Sequence, residues 1–109
     1  MVFCFFNNIA VGMRHALEHY QVGRLALIDY DVHHGNGSES VFFNDSRVLM
    51  CSTYQIDLFP FHAETEKSPH RINIALPARS RGDVFREAVQ THWLEALDRF
   101  KPEVIYVSA

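Results

Sequence analysis

Apolar and polar residues recur along this chain with the period of a helix in some stretches, and in others form short unbroken apolar runs. Across 8–20, Ile9, Met13, Ala16, Leu17 and Tyr20 fall on one 3.6-residue face, which predicts an amphipathic helix. Asn7 or Asn8 is placed to cap its start, and Gly23 lies just past its end. The run Leu25-Ala26-Leu27-Ile28 within 24–31 reads as a strand covered on both faces. A short helix is expected over 38–44, and 47–53 (Val48, Leu49, Met50, Cys51) reads as a second buried strand. Ile72, Ile74 and Leu76 alternate over 71–76 until Pro77 stops them. Over 83–100, Phe85, Ala88, Val89, Trp93, Ala96, Leu97 and Phe100 form a long inward helical face, with Asp83 as cap and Pro102 after the end. The segment 103–109 reads as a last buried strand.

Strands alternating with helices predict an α/β protein with a mainly parallel sheet, containing 25–30, 47–53 and 103–108, and 71–76 as a further strand. The chain starts and stops within apolar runs, so the expectation is a single partial domain over 1–109, a piece of a larger sheet.

Composition narrows the class. The 109 residues are 48% hydrophobic and 21% charged, as expected of one small globular domain rather than a disordered chain. A net charge of −3 without a basic tract gives no support for nucleic-acid binding. No apolar run approaches the roughly 20 residues that span a bilayer, and no secretory signal is visible, so the cytoplasm is the expected compartment. Cys4 and Cys51 form no CxxC pair, and both lie in apolar strings where a buried free thiol is expected.

The chemistry concentrates in 29–37, which reads Asp-Tyr-Asp-Val-His-His-Gly-Asn-Gly directly after the first apolar strand. In extended backbone, residues two apart project to the same side, so Asp29, Asp31 and His33 would line one side of the strand's carboxyl end. Two carboxylates and an imidazole converging there need compensation, which a divalent metal supplies. Mixed Asp and His ligation suits zinc or another first-row ion in a catalytic site. Taken singly, the aspartates read as turn or cap residues; the whole string points to a site. Strand parity turns His34 away from His33, toward local packing. His15, His19 and His92 read as surface or boundary residues on helices, His62 and His70 as surface loop residues, and 64–67 as a solvated charge cluster.

The string 29–37 resembles the signature of the histone deacetylase superfamily, which includes acetylpolyamine amidohydrolases and bacterial deacetylase-like proteins. The segment Phe-Cys-Phe-Phe-Asn-Asn at 3–8, the strand at 47–52, Pro77, the helix over 85–100 and Val-Ser-Ala at 107–109 match in order. The resemblance implies a doubly wound three-layer α/β/α sandwich, as in arginase and the deacetylases, and zinc-dependent hydrolysis of N-acetyl amides. On that likeness Asp31 and His33 are two of three zinc ligands. Asp29 orients a catalytic histidine and, with Ser52, contributes to a potassium site. Asn36 orients a second catalytic histidine, and Phe3 and Phe59 wall a narrow acyl-lysine tunnel. The implied substrate is an acetylated amine, of the acetyl-lysine or acetylpolyamine type.

The sequence also departs from the pattern. The family's paired catalytic histidines precede the segment at Phe3, and its third zinc ligand follows the Ser-Ala at 108–109. Val2 replaces an expected glycine, and Phe61-His62-Ala63-Glu64 replaces a glycine-rich stretch. The expectation is therefore a deacetylase fragment that is inactive alone and prone to associate through exposed sheet edges. The alternatives are a non-enzymatic binding or interaction module and an arginase-like metal hydrolase.

Overall fold

The four strands form a single parallel sheet in the order β3-β2-β1-β4, in a computed structural model that describes residues 4–61 and 68–109. They are β1 (Leu25–Asp29), β2 (Val48–Gln55), β3 (Arg71–Leu76) and β4 (Val104–Ser108). The expected strands and their parallel pairing are present, with β2 running two residues further than its apolar run suggests.

Alternation along β1 and β2 sends side chains to two cores. Leu25, Leu27, Val48 and Met50 pack with Ala10, Met13, Ala16 and Leu17 of α1 (Asn8–His19) and Phe42 of α2 (Asn36–Phe42). Ala26, Leu49 and Cys51 face the opposite way and pack against Trp93, with Phe85, Val89, Leu97 and Phe100 around it. Those residues lie on one helical stretch, α3 (Gly82–Ala88) and α4 (Leu94–Phe100), joined by a wider π-helical turn over Val89–Trp93. The described chain is thus a three-layer α/β/α arrangement, and the unbroken apolar runs are central strands buried on both faces. Among the described residues no helix is long and apolar enough to cross a membrane.

The helix ends differ from expectation in detail. Asn7, rather than Asn8, caps α1, its side chain accepting from the Ala10 amide at 3.0 Å. The left-handed residue after α1 is Gln21, at φ 55°, so the chain has already turned before Gly23. The short helix starts at Asn36 rather than residue 38, because the Glu39 amide closes the first turn on the Gly35 carbonyl at 3.1 Å. Arg81 holds the N-cap position of α3, while Asp83 sits in the first turn, where a carboxylate favours the helix dipole. Lys101, at φ 53°, ends α4 one residue before Pro102.

Two burial expectations fail. Among the described residues β4 is an edge strand rather than a buried one: it pairs with β1 alone, and Ile105 and Val107 are half-exposed. Only Tyr106 of this strand turns toward the first core. Cys4, which precedes α1 and borders a cleft, is exposed, whereas Cys51 is buried.

Candidate metal-binding turn and its buried support

The sheet's register places a polar row at its carboxyl edge. Asp29 of β1 stands opposite Ser52 of β2 and Ser108 of β4, and Ser52 stands opposite Asn73 of β3. The row marks the carboxyl end of β1 and β4, where the candidate residues begin, and lies mid-strand in β2 and β3.

β1 stops at Asp29, and the chain bends over 31–33 instead of remaining extended. Two side-chain-to-backbone bonds make the bend. Asp29 Oδ1 accepts from the Asp31 amide at 3.1 Å, and Asp31 Oδ1 accepts from the His33 amide at 2.7 Å. Aspartate bonding two residues ahead is the Asx-turn habit of this side chain. The Asp31 carboxylate and His33 ring do meet, with Oδ1 and Nδ1 3.3 Å apart. Consecutive turns bring them together, however, and not the strand parity expected from sequence.

Asp29 is buried against Gly35. A Cβ on Gly35 would overlap Asp29 Oδ2, so the turn requires glycine there for close approach. Burial pushes the Asp29 carboxyl above its ordinary range, and the charge of Asp31 adds to the rise. For Asp31, burial acts upward too, but the amide and ring of His33 are among the groups that draw its carboxyl down. Asp29, Gly35 and Asn36 also border a cleft of about 550 Å³, with the 4–9 segment and Ser108 on its other sides. Asn36 is exposed at the start of α2.

The other candidates are spread. Ser52 is fully buried, its Oγ 3.3 Å from His34 Nδ1. Phe59 lies in the turn after β2, half-exposed, its ring 6.1 Å from that of Phe61. Phe3, His62 and the charge cluster at 64–67 lie outside the described residues. His15, His19 and His92 are exposed, as expected. His70 is half-buried, its ring beside Phe100.

A carboxylate oxygen and an imidazole nitrogen aimed at each other are the donor types zinc takes. Among the described residues no cluster of three His, Cys, Asp or Glu side chains forms, so the described part of the site provides this pair. The pair fits zinc in kind, as two of the three protein ligands a catalytic site usually has.

Sequence reasoning missed the network beneath. His34 is sealed from solvent and bonds through Nε2 to the buried carboxylate of Glu39. Glu39 Oε1 accepts from Asn73 Nδ2 at 3.1 Å and lies 3.6 Å from Arg71 Nη1. Burial works to raise the Glu39 carboxyl, but the bond and charge of His34, Asn73 and Arg71 together hold it below the usual range. One signal was available: Arg71 and Asn73 share the face of β3 opposite Ile72 and Ile74, and that face is turned toward α2.

The histone deacetylase domain model matches residues 1–109. The histone deacetylase-like amidohydrolase of Pseudomonas aeruginosa is 35% identical over 116 residues, covering 100% of this chain and 30% of that protein. A probable deacetylase of Methanothermobacter thermautotrophicus is 39% identical over 120 residues, covering 100% of this chain and 35% of its own length. The crystal structure of an acetylpolyamine aminohydrolase from Burkholderia pseudomallei superposes with a TM-score of 0.87 at 26% identity, covering 99% of this chain and 33% of that one. The chain thus spans about a third of the length of these relatives. With the match running the whole length of the chain and the three-layer parallel fold shared, the chain belongs to the histone deacetylase family.

Proposed function

We propose that this chain forms part of a zinc-dependent deacetylase that hydrolyses N-acetyl amides of the acetyl-lysine or acetylpolyamine type. The observation that carries the reading is the 3.3 Å approach of Asp31 Oδ1 to His33 Nδ1 at the carboxyl edge of β1, in a chain of this family. Ligands in open α/β sheets bind outside the carboxyl ends of the strands, which is where the pair stands.

In this reading Asp31 and His33 hold the metal through one oxygen and one nitrogen. Bound there, zinc would supply a Lewis acid that polarises a carbonyl and lowers the pKa of water. Asp29, fixed between the Asp31 amide and Gly35, presents a buried carboxylate to the cleft, placed to orient a histidine acting as acid or base. Asn36, at the rim of the same cleft, takes the equivalent role for a second histidine. Asp29 and Ser52, in register on neighbouring strands, take a structural potassium ion, and Phe3 and Phe59 wall the substrate tunnel.

The chain alone is not competent in this account. It brings two metal ligands, and a positioned acid or base normally contributes about 10²–10⁴-fold in rate. Half-exposed Ile105 and Val107 on the β4 edge favour association of the isolated chain. The test is a deacetylation assay on the full-length gene product with several acetylated amines, with and without a chelator. Turnover abolished by chelation and by Asp31→Ala supports the proposal. Turnover that survives both, or no turnover of any acetylated amine, refutes it.

A further inference from the structure

His33 carries little of its own anchorage. Its side chain is 38% exposed, and its bonds are to Asp31, within the same turn. The residues on either side of it are tied to the body of the protein. On one side the Val32 carbonyl accepts from the Gln55 amide at 2.9 Å, which fixes the turn to β2. On the other side His34 is locked through both ring nitrogens, by Ser52 on β2 and Glu39 on α2. Its ring also lies 4.9 Å from that of Tyr54.

Glu39 is the hub of this second anchor. One carboxylate oxygen faces His34 Nε2, and the other accepts from Asn73 on β3 with Arg71 nearby. The Arg71 guanidinium is itself stacked 3.8 Å from the centroid of the Phe43 ring, just past α2. A carboxylate only accepts, so His34 must present its Nε2–H to Glu39, which fixes the ring's orientation. A buried polar group with every partner in place rigidifies its surroundings, and one with a partner removed is costly.

We infer that Glu39 is a positioning residue, acting through His34 to hold His33 where its ring meets Asp31. The inference rests on the reading of Asp31 and His33 as metal ligands and adds a support running from β3 through α2 to the ligand turn. A group bonded directly to a metal ligand typically changes metal affinity about 10–100-fold when removed, and Glu39 acts one residue further out, so the lower figure applies.

The test uses the full-length protein and two readouts, zinc affinity by calorimetry and amide exchange at His33, Asn36 and Gln55 without metal. Glu39→Ala removes both acceptors, whichever tautomer His34 adopts. Asn73→Ala removes one outer link and serves if the first variant does not fold. Leu49→Ala, in the core on the opposite face of the sheet, is the control for general loss of stability. Faster exchange confined to the ligand turn and zinc affinity lowered about 10-fold are expected in Glu39→Ala, with Leu49→Ala less stable but unchanged in zinc affinity. Unchanged turn exchange and zinc affinity in both network variants, with wild type binding zinc, overturns the inference and leaves the metal site standing. A zinc affinity lowered equally in Leu49→Ala also overturns it. Absence of zinc uptake by wild type removes the metal reading, and the inference with it.

Discussion

The His34 side chain is 1% exposed, while that of its neighbour His33 is 38% exposed. Two identical side chains, adjacent in sequence, are thus assigned to different environments. The turn begun by Asp29 and Asp31 sends one imidazole to the open edge of the sheet and buries the other among Ser52, Tyr54 and Glu39. In the proposed reading the buried one steadies the turn, and the open one, beside Asp31, takes the metal.

The close approach of Gly35 to Asp29 makes Gly35→Ala a sensitive probe of this turn. The added methyl must displace a buried carboxylate that already bonds the Asp31 amide. Urea denaturation should show a loss of about 1–3 kcal/mol, the usual cost of overpacking. A loss near zero would mean that Asp29 has room to move.

The core on the first face of the sheet is expected to be unforgiving. Leu27 is fully buried in the middle of β1 between paired strands. Leu27→Ala should destabilise by about 2–5 kcal/mol in the same urea experiment, from lost burial and the cavity left behind.

Much of this architecture was readable in the sequence, for a physical reason. The apolar runs at 25–28 and 48–51 can only be satisfied by cover on both faces, so they specify central parallel strands without reference to their partners. β4 has an equally apolar run, and the same reasoning fails there because a strand's burial depends on what lies beside it. The site was legible as a set of residue types, but the convergence of Asp31 and His33 depends on Asx turns that a strand-parity argument does not contain. Glu39 escaped notice because a carboxylate on a short helix reads as surface. Its burial is decided by Asn73 and Arg71, more than thirty residues further on.

Acid should weaken the link between α1 and the β2 entrance. The Arg47 side-chain bond is the main cause that draws the Asp45 carboxyl down from 3.8 to about 2, and Arg14 adds its charge. A depressed carboxyl pKa gives stability that is fully present above the unfolded value and lost as pH falls from about 4 through about 2. Allowing for solvent screening, Asp45→Asn should cost about 1 kcal/mol at pH 7, and the gap to wild type should close toward pH 2. A gap independent of pH would assign Asp45 a purely geometric role.

The two cysteines should separate cleanly in reactivity. Burial pushes the Cys51 thiol up to about 12, while Cys4 is exposed. A thiol reagent at neutral pH should label Cys4 rapidly and Cys51 only after unfolding. Rapid labelling of both would contradict the buried placement of β2.

Zinc-edge X-ray absorption on the zinc-loaded full-length gene product reads the metal's ligands themselves. A first shell containing imidazole nitrogen and carboxylate oxygen at about 2.0–2.2 Å is expected. His33→Ala should lose an imidazole contribution and Asp31→Ala an oxygen. A metal shell that is unchanged in both variants would contradict the assignment of this pair as the metal ligands.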